Sequence, residues 1–192
     1  MKTIALSGTR RDTTGKRLTK QTRKEGRIPG VVYHNAEATS VEFDAKELRP
    51  VLYTAETFIV NLDIQGEKMD AIVRGADFHP VTEAPLHIEF LKVTDDKPVI
   101  FELPVEMVGT PAGVIKGGRL TIKMRKVKVK GIPAKSPEKV SVDVSHLDLG
   151  ETAKLSAATV EGIEFITPPS AAVATVIIPR ALRSAKEAAK NE

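Results

Sequence analysis

The sequence contains no cysteine and no tryptophan, and only 4% of its residues are aromatic. Without cysteine there is no disulfide, no thiolate nucleophile and no Cys-ligated zinc. No run of 18 or more apolar residues is available to cross a bilayer as a helix. The opening MKTIALSGTRRD turns polar before an apolar run develops, so no secretory leader is expected and the expected location is the cytoplasm. Enzyme signatures are scarce as well. The glycine-rich stretch 109–118 lacks the Gly-Lys-Ser/Thr ending of a Walker loop and reads as a turn between two strands. No nucleophile elbow or zincin motif appears. His79, His87 and Glu89 admit a metal-dependent hydrolase reading, but they lack the tight clustering of metal ligands. No catalytic residue, metal or cofactor is expected.

What is present is a folded composition, 41% hydrophobic and 28% charged, over 192 residues. That length suits one large domain or two small ones. The net charge of +4 is modest, but its distribution is not. Residues 1–34 hold nine cations (Lys2, Arg10, Arg11, Lys16, Arg17, Lys20, Arg23, Lys24 and Arg27) against Asp12 and Glu25. From there to Asp95, twelve acids face five bases. A positive edge on an otherwise negative domain orients a protein on a polyanion and discourages general stickiness.

The pattern along the chain is strand-rich. Short strands are expected at 4–6, 31–34, 41–43, 58–64, 69–74 and 86–91, the fourth and fifth forming a hairpin around Gln65-Gly66-Glu67. Residues 7–27 are polar, basic and without period. A short helix is expected from Asp44, with Asp44 and Glu47 at capping-box-like spacing and Leu48, Val51 and Leu52 on its apolar face; Pro50 should kink or shorten it. In the strand 86–91, His87 and Glu89 fall on the face opposite the core. These elements suggest a small barrel or strongly curved sheet ending near Val93, with a boundary at 94–98. Further strands are expected at 99–108, where Pro104 favours an edge or a bulge, and at 140–144 and 171–178. Between them, 119–130 is expected as one strand whose hydrophobic parity slips, which calls for a β-bulge near Arg125-Lys126. The predicted organisation is a domain over 1–94, an antiparallel β-rich domain over 95–180 and a flexible or helical tail over 181–192.

The basic segment is the strongest chemical signal. R-R-D-T-T-G-K-R-L-T-K-Q-T-R-K-E-G-R carries a cation at every second or third position. Each phosphate contact by such a cation releases condensed counterions, so the cluster can supply affinity for RNA or DNA. An ordinary solvated loop is the alternative. Tyr33, just beyond, offers a ring for stacking, a hydroxyl for hydrogen bonding, or half-buried packing. A second basic tract, 116–139, alternates Lys and Arg with Val, Ile and Met; it reads as a solvated sheet face or as another RNA contact.

Three stretches resemble a known family, the 5S-rRNA-binding proteins of the bacterial large ribosomal subunit (protein number 25, including the general stress protein Ctc). The first runs from Gly15-Lys16 through Arg23-Lys24-Glu25-Gly26-Arg27-Ile28-Pro29-Gly30-Val31-Val32-Tyr33. The second runs from Asp77-Phe78-His79-Pro80 to Leu86-His87-Ile88-Glu89-Phe90. The third, Val108-Gly109-Thr110-Pro111-Ala112-Gly113-Val114 with Gly117-Gly118, resembles the start of the C-terminal domain of two-domain members. The resemblance implies a six- or seven-stranded N-terminal β-barrel seated on 5S rRNA. It implies RNA contacts at Arg11, Lys16, Lys20, Arg23, Tyr33, Asp77, His87 and Glu89, to which the basic segment adds Arg17 and Lys24. The sequence departs from the family where Lys20-Gln21-Thr22-Arg23 stands for a common Arg-Arg-Leu-Arg and where Asp77 stands for a frequent Gln. Lysine lacks the bidentate fork of arginine, and a carboxylate near phosphates needs a donor. The expected role is a structural constituent of the large subunit, monomeric when free, binding no membrane, with neighbouring ribosomal proteins as further partners of the C-terminal domain. A stress-associated translation or assembly factor visiting the ribosome transiently is the alternative.

Overall fold

The computed structural model describes residues 1–34, 37–94, 97–158, 160 and 162–179. The expected tail at 181–192, and Asp95 and Asp96 in the expected boundary, lie outside the described residues. The chain divides into two compact units. The first is Met1–Phe101 with Gly131–Glu138, and the second is Glu102–Lys130 with the described residues from Lys139 on.

In the first unit six strands close a barrel: β1 (Lys2–Arg10), β2 (Arg27–His34), β3 (Glu37–Asp44), β4 (Phe58–Ile64), β5 (Glu67–Phe78) and β6 (Pro85–Lys92). Their order around the barrel is β1-β3-β2-β6-β5-β4, with β1/β4 and β2/β6 parallel and the other pairs antiparallel. The mainly β class is therefore as expected, and six strands suffice for closure. Alternation along each strand sends Leu6, Val32, Val41, Phe43, Val60, Leu62, Ile88 and Phe90 into one buried cluster. Phe43 and Phe90 meet edge to face there, with centroids 5.2 Å apart. Gly30 on β2 permits the close approach of β6, because a Cβ there would lie 2.8 Å from Ile88 Cγ2.

The helix expected from Asp44 is α2 (Ala45–Leu52), which places Leu48 and Val51 against the barrel cluster. Asp44 caps it, accepting from the Lys46 amide at 2.8 Å. Glu47 does not complete a capping box; its carboxylate accepts from the Ser7 hydroxyl at 2.8 Å. Pro50 is accommodated within the helix, which continues to Leu52. The β4–β5 hairpin turns on Gln65 and Gly66, both at positive φ (55° and 93°), as a type I′ connection requires.

Two local expectations need correction. The stretch 7–27 is not irregular: β1 continues to Arg10, and Lys16–Lys24 forms a helix, α1. The stretch 119–130 is not one bulged strand. It forms β8 (Arg119–Ile122) and β9 (Lys126–Gly131), which belong to different sheets. The slip in hydrophobic parity marks the crossing between sheets and not an extra residue in a single ladder.

The second unit is likewise β-rich. β7 (Val99–Val108), β10 (Val140–Asp143) and β12 (Ile163–Phe165) join β9 in a sheet ordered β10-β7-β9-β12. A three-stranded antiparallel sheet holds β11 (Thr152–Lys154), β13 (Ala172–Ile177) and β8, in the order β11-β13-β8. Despite Pro104, β7 is an inner strand: β10 pairs in parallel with Val105–Val108, just past the proline. The glycine-rich stretch between β7 and β8 contains a single helical turn, α3 (Ala112–Ile115).

Candidate nucleic-acid interface

The sequence KRLTKQTRK of α1 contains five cations and no acid. Thr22 is the buried residue of the helix, and its hydroxyl donates to the Leu18 carbonyl at 3.1 Å. This face leaves Lys16, Arg17, Lys20, Arg23 and Lys24 exposed. Gly15 at the N-cap supplies no side-chain cap, while Arg23 and Lys24 in the last turn complement the negative end of the helix dipole. One cation ties the helix to the barrel: Arg23 Nε donates to the Leu86 carbonyl at 2.9 Å, one residue before His87.

The barrel surface beside this contact is the outer face of β2, β6 and β5. Ile88 and Phe90 point inward, so His87 and Glu89 face outward and are half-buried. In the strand register Glu89 lies between Val31 of β2 and Gly75 of β5, and His87 lies opposite Asp77. A Cβ at Gly75 would meet nothing within 4 Å, so the surface next to Glu89 is open. Among the described residues, Asp77, His87 and Glu89 have no side-chain hydrogen bond or ion pair, nor do Lys16, Arg17, Lys20 and Lys24 have an ion pair. Polar groups with no partner among the described residues, half-buried at His87 and Glu89 and exposed at Asp77 on this strand face, are available to an external ligand.

Tyr33 lies on the same outer face of β2. The Arg74 guanidinium sits 5.4 Å from its ring centroid and covers one side of the ring. Arg74 escaped the sequence reading. The β5–β6 register shifts between Val73 and Gly75, so Arg74 is the extra residue of a bulge, which turns an exposed cation onto the strand face. The consecutive apolar residues Ala71, Ile72 and Val73, where strict alternation fails, were the available signal.

Arg11 is placed differently from the other candidates. Its side chain is only 10% exposed, and its Nε lies 3.7 Å from the Glu42 carboxylate. Arg27 binds the other oxygen of Glu42, a hydrogen bond that raises the pKa of its guanidinium. Glu42 thus holds two arginines of the basic segment. His79 is also committed, since its Nδ1 accepts from the amides of Val81 and Thr82 at 3.3 and 3.2 Å within the β5–β6 turn. It does not join His87 and Glu89 in a cluster, and no group of three or more potential metal ligands occurs among the described residues.

Comparison with known proteins accounts for both units. Residues 6–90 match the model of the ribosomal L25p family, and residues 98–180 match the C-terminal domain of ribosomal protein TL5. The "Large ribosomal subunit protein bL25" of Bacteroides thetaiotaomicron is 39% identical over 98% of this chain and 99% of its own length. The protein of the same name from Porphyromonas gingivalis is 41% identical over 96% and 97%, and that of Amoebophilus asiaticus is 34% identical over 100% and 98%. The chain belongs to the ribosomal L25p family. This is a family of ribosomal proteins and not of enzymes. The L25p match includes α1, the β2 face and the β6 residues up to Phe90, so the candidate interface lies almost wholly within it.

Proposed function

We propose that this chain is a structural constituent of the large ribosomal subunit, in the cytoplasm, and that it binds 5S rRNA through α1 and the outer face of β2, β6 and β5. The observation that carries the reading is the juxtaposition made by the Arg23–Leu86 contact. It sets a row of unpaired cations beside a strip of unpaired polar groups. The two parts suit two tasks. Lys16, Arg17, Lys20, Arg23 and Lys24 hold phosphates, while Asp77, His87 and Glu89 hydrogen-bond to 2′-hydroxyls or base edges in a wide, shallow minor groove. Glu89, when ionised, is an acceptor only and therefore calls for a hydroxyl or amino donor from the ligand. Tyr33 and Arg74 extend the strip with a partly covered ring and a fixed cation.

Binding to 5S rRNA and to an unrelated RNA hairpin over a salt series tests this reading. Tighter binding to 5S rRNA at every salt concentration is expected, and equal affinity for both would sink the specific claim. Charge reversal at Lys20 and Arg23 should weaken binding to both RNAs and make the salt dependence shallower by about two.

The near full-length relationship to proteins named as large-subunit components favours stable membership over a transient, stress-associated visit. Sedimentation separates the two: retention in salt-washed subunits supports membership, and loss at moderate salt supports the transient role. Within this reading the domains are proposed as 1–94 for the 5S rRNA-binding barrel and 95–180 for the C-terminal domain.

A further inference from the structure

We infer that the exposed face of β9, in the second unit, is a second polyanion-binding surface that takes the phosphate backbone of a structured RNA. The sequence KVKVKG of β9 buries Val127 and Val129 completely and leaves Lys126, Lys128 and Lys130 exposed on one side. Alternate residues of a strand stand about 6.6 Å apart, a step comparable with that between neighbouring phosphates of an RNA strand. Three ammonium groups are thus presented in line from a strand anchored by its buried valines.

Within its own segment of chain the charge is not compensated. Residues 119–130 carry six cations and no acid. Two other lysines of this unit have partners: Lys116 lies 2.6 Å from Asp148, and Lys139 lies 3.3 Å from Glu106. Among the described residues, no carboxylate lies within ion-pair distance of Lys126, Lys128 or Lys130. The flanking strands carry exposed acids, Glu164 on β12 and Glu102 and Glu106 on β7, but Glu106 is engaged by Lys139 and none of the three pairs with the lysine row. Unpaired like charges in a row repel one another, and a polyanion relieves that repulsion while releasing its own counterions. An acidic protein is the rival occupant. Protein interfaces centre on buried aromatic or aliphatic anchors, whereas the exposed positions of β9 offer only lysine side chains. The row therefore favours RNA.

The test uses the full-length chain and protein-free large-subunit rRNA as the probe. Three variants are compared with the parent over a salt series: K126Q/K128Q/K130Q, its charge-retaining counterpart K126R/K128R/K130R, and K16Q/K20Q/K24Q in α1. The β9 glutamine variant is expected to bind about tenfold more weakly at low salt, with a salt dependence shallower by about two to three. The arginine variant should bind like the parent. Unchanged affinity and slope in the glutamine variant, with a parental melting temperature, would overturn the proposal. So would a loss confined to intact large subunits and absent with protein-free rRNA, which assigns the row to an acidic protein neighbour. The α1 variant reports separately on the N-terminal interface, so either surface can fail without the other.

Discussion

Glu89 is half-buried, lacks a partner among the described residues, and lies beside the open surface at Gly75. Together with His87 it separates two kinds of substitution. His87→Ala removes a group proposed to read hydrogen-bonding edges, so discrimination between 5S rRNA and a control hairpin should fall by about 1–3 kcal/mol while the salt slope stays put. Competition binding at two salt concentrations checks this, and a parallel loss on both RNAs would contradict it. Arg11 gives the opposite expectation. Its guanidinium is largely buried against Glu42, so Arg11→Ala should lower the melting temperature by a few degrees and leave the salt slope unaltered. The outward alternation of His87 and Glu89 was readable because strand period alone fixes it. The commitment of Arg11 was not, because Glu42 lies far along the chain and only the β1–β3 pairing brings the two together. Arg74 was hidden for a related reason: a bulge changes the face of a side chain, and the bulge depends on the partner strand.

Strands were legible where one face is apolar and the other polar, which is why β4, β6 and the β4–β5 hairpin were found in place. Helix α1 was not, since Leu18 is its only aliphatic residue and the barrel contact buries Thr22, which carries little hydrophobic signal. Its cations at i, i+3 and i, i+4 spacing repel one another, and its first turn has basic residues and no side-chain cap. Added salt should screen this repulsion, so amide-exchange protection over residues 19–24 should rise with ionic strength in the free protein. Protection that falls or stays constant would show that the barrel contact alone holds the helix. The strands β8 and β9 teach the complementary limit: alternation reports which side is buried but not which sheet a strand joins. Close packing between strands yields a sharper expectation. At Gly30 an added Cβ would press on Ile88 Cγ2 at 2.8 Å and on the Ile88 carbonyl at 2.9 Å, so Gly30→Ala should cost about 1–3 kcal/mol in denaturant unfolding.

Across the molecule, the feature first visible in the sequence is an uneven distribution of charge, and the fold gives it a direction. The cations of residues 1–34 do not spread evenly over the barrel: Arg11 and Arg27 share the single charge of Glu42, while those of α1 remain together on one helix surface. Acids prevail in the barrel sequence beyond Tyr33, so on the barrel a polyanion is attracted to α1 and repelled by the acidic remainder. Such polarity acts on encounter before any specific contact forms. Replacing Lys16, Lys20 and Lys24 by Gln should therefore slow association with 5S rRNA about tenfold or more at low salt, and the parent and variant rates should converge as salt rises. Dissociation should change less than association, because the base-edge and sugar contacts proposed for His87 and Glu89 are untouched. Stopped-flow mixing at several ionic strengths measures both rates directly. A variant that associates as fast as the parent at low salt would mean that attraction arises elsewhere on the chain, and the lysine row of β9 would then be the first place to look.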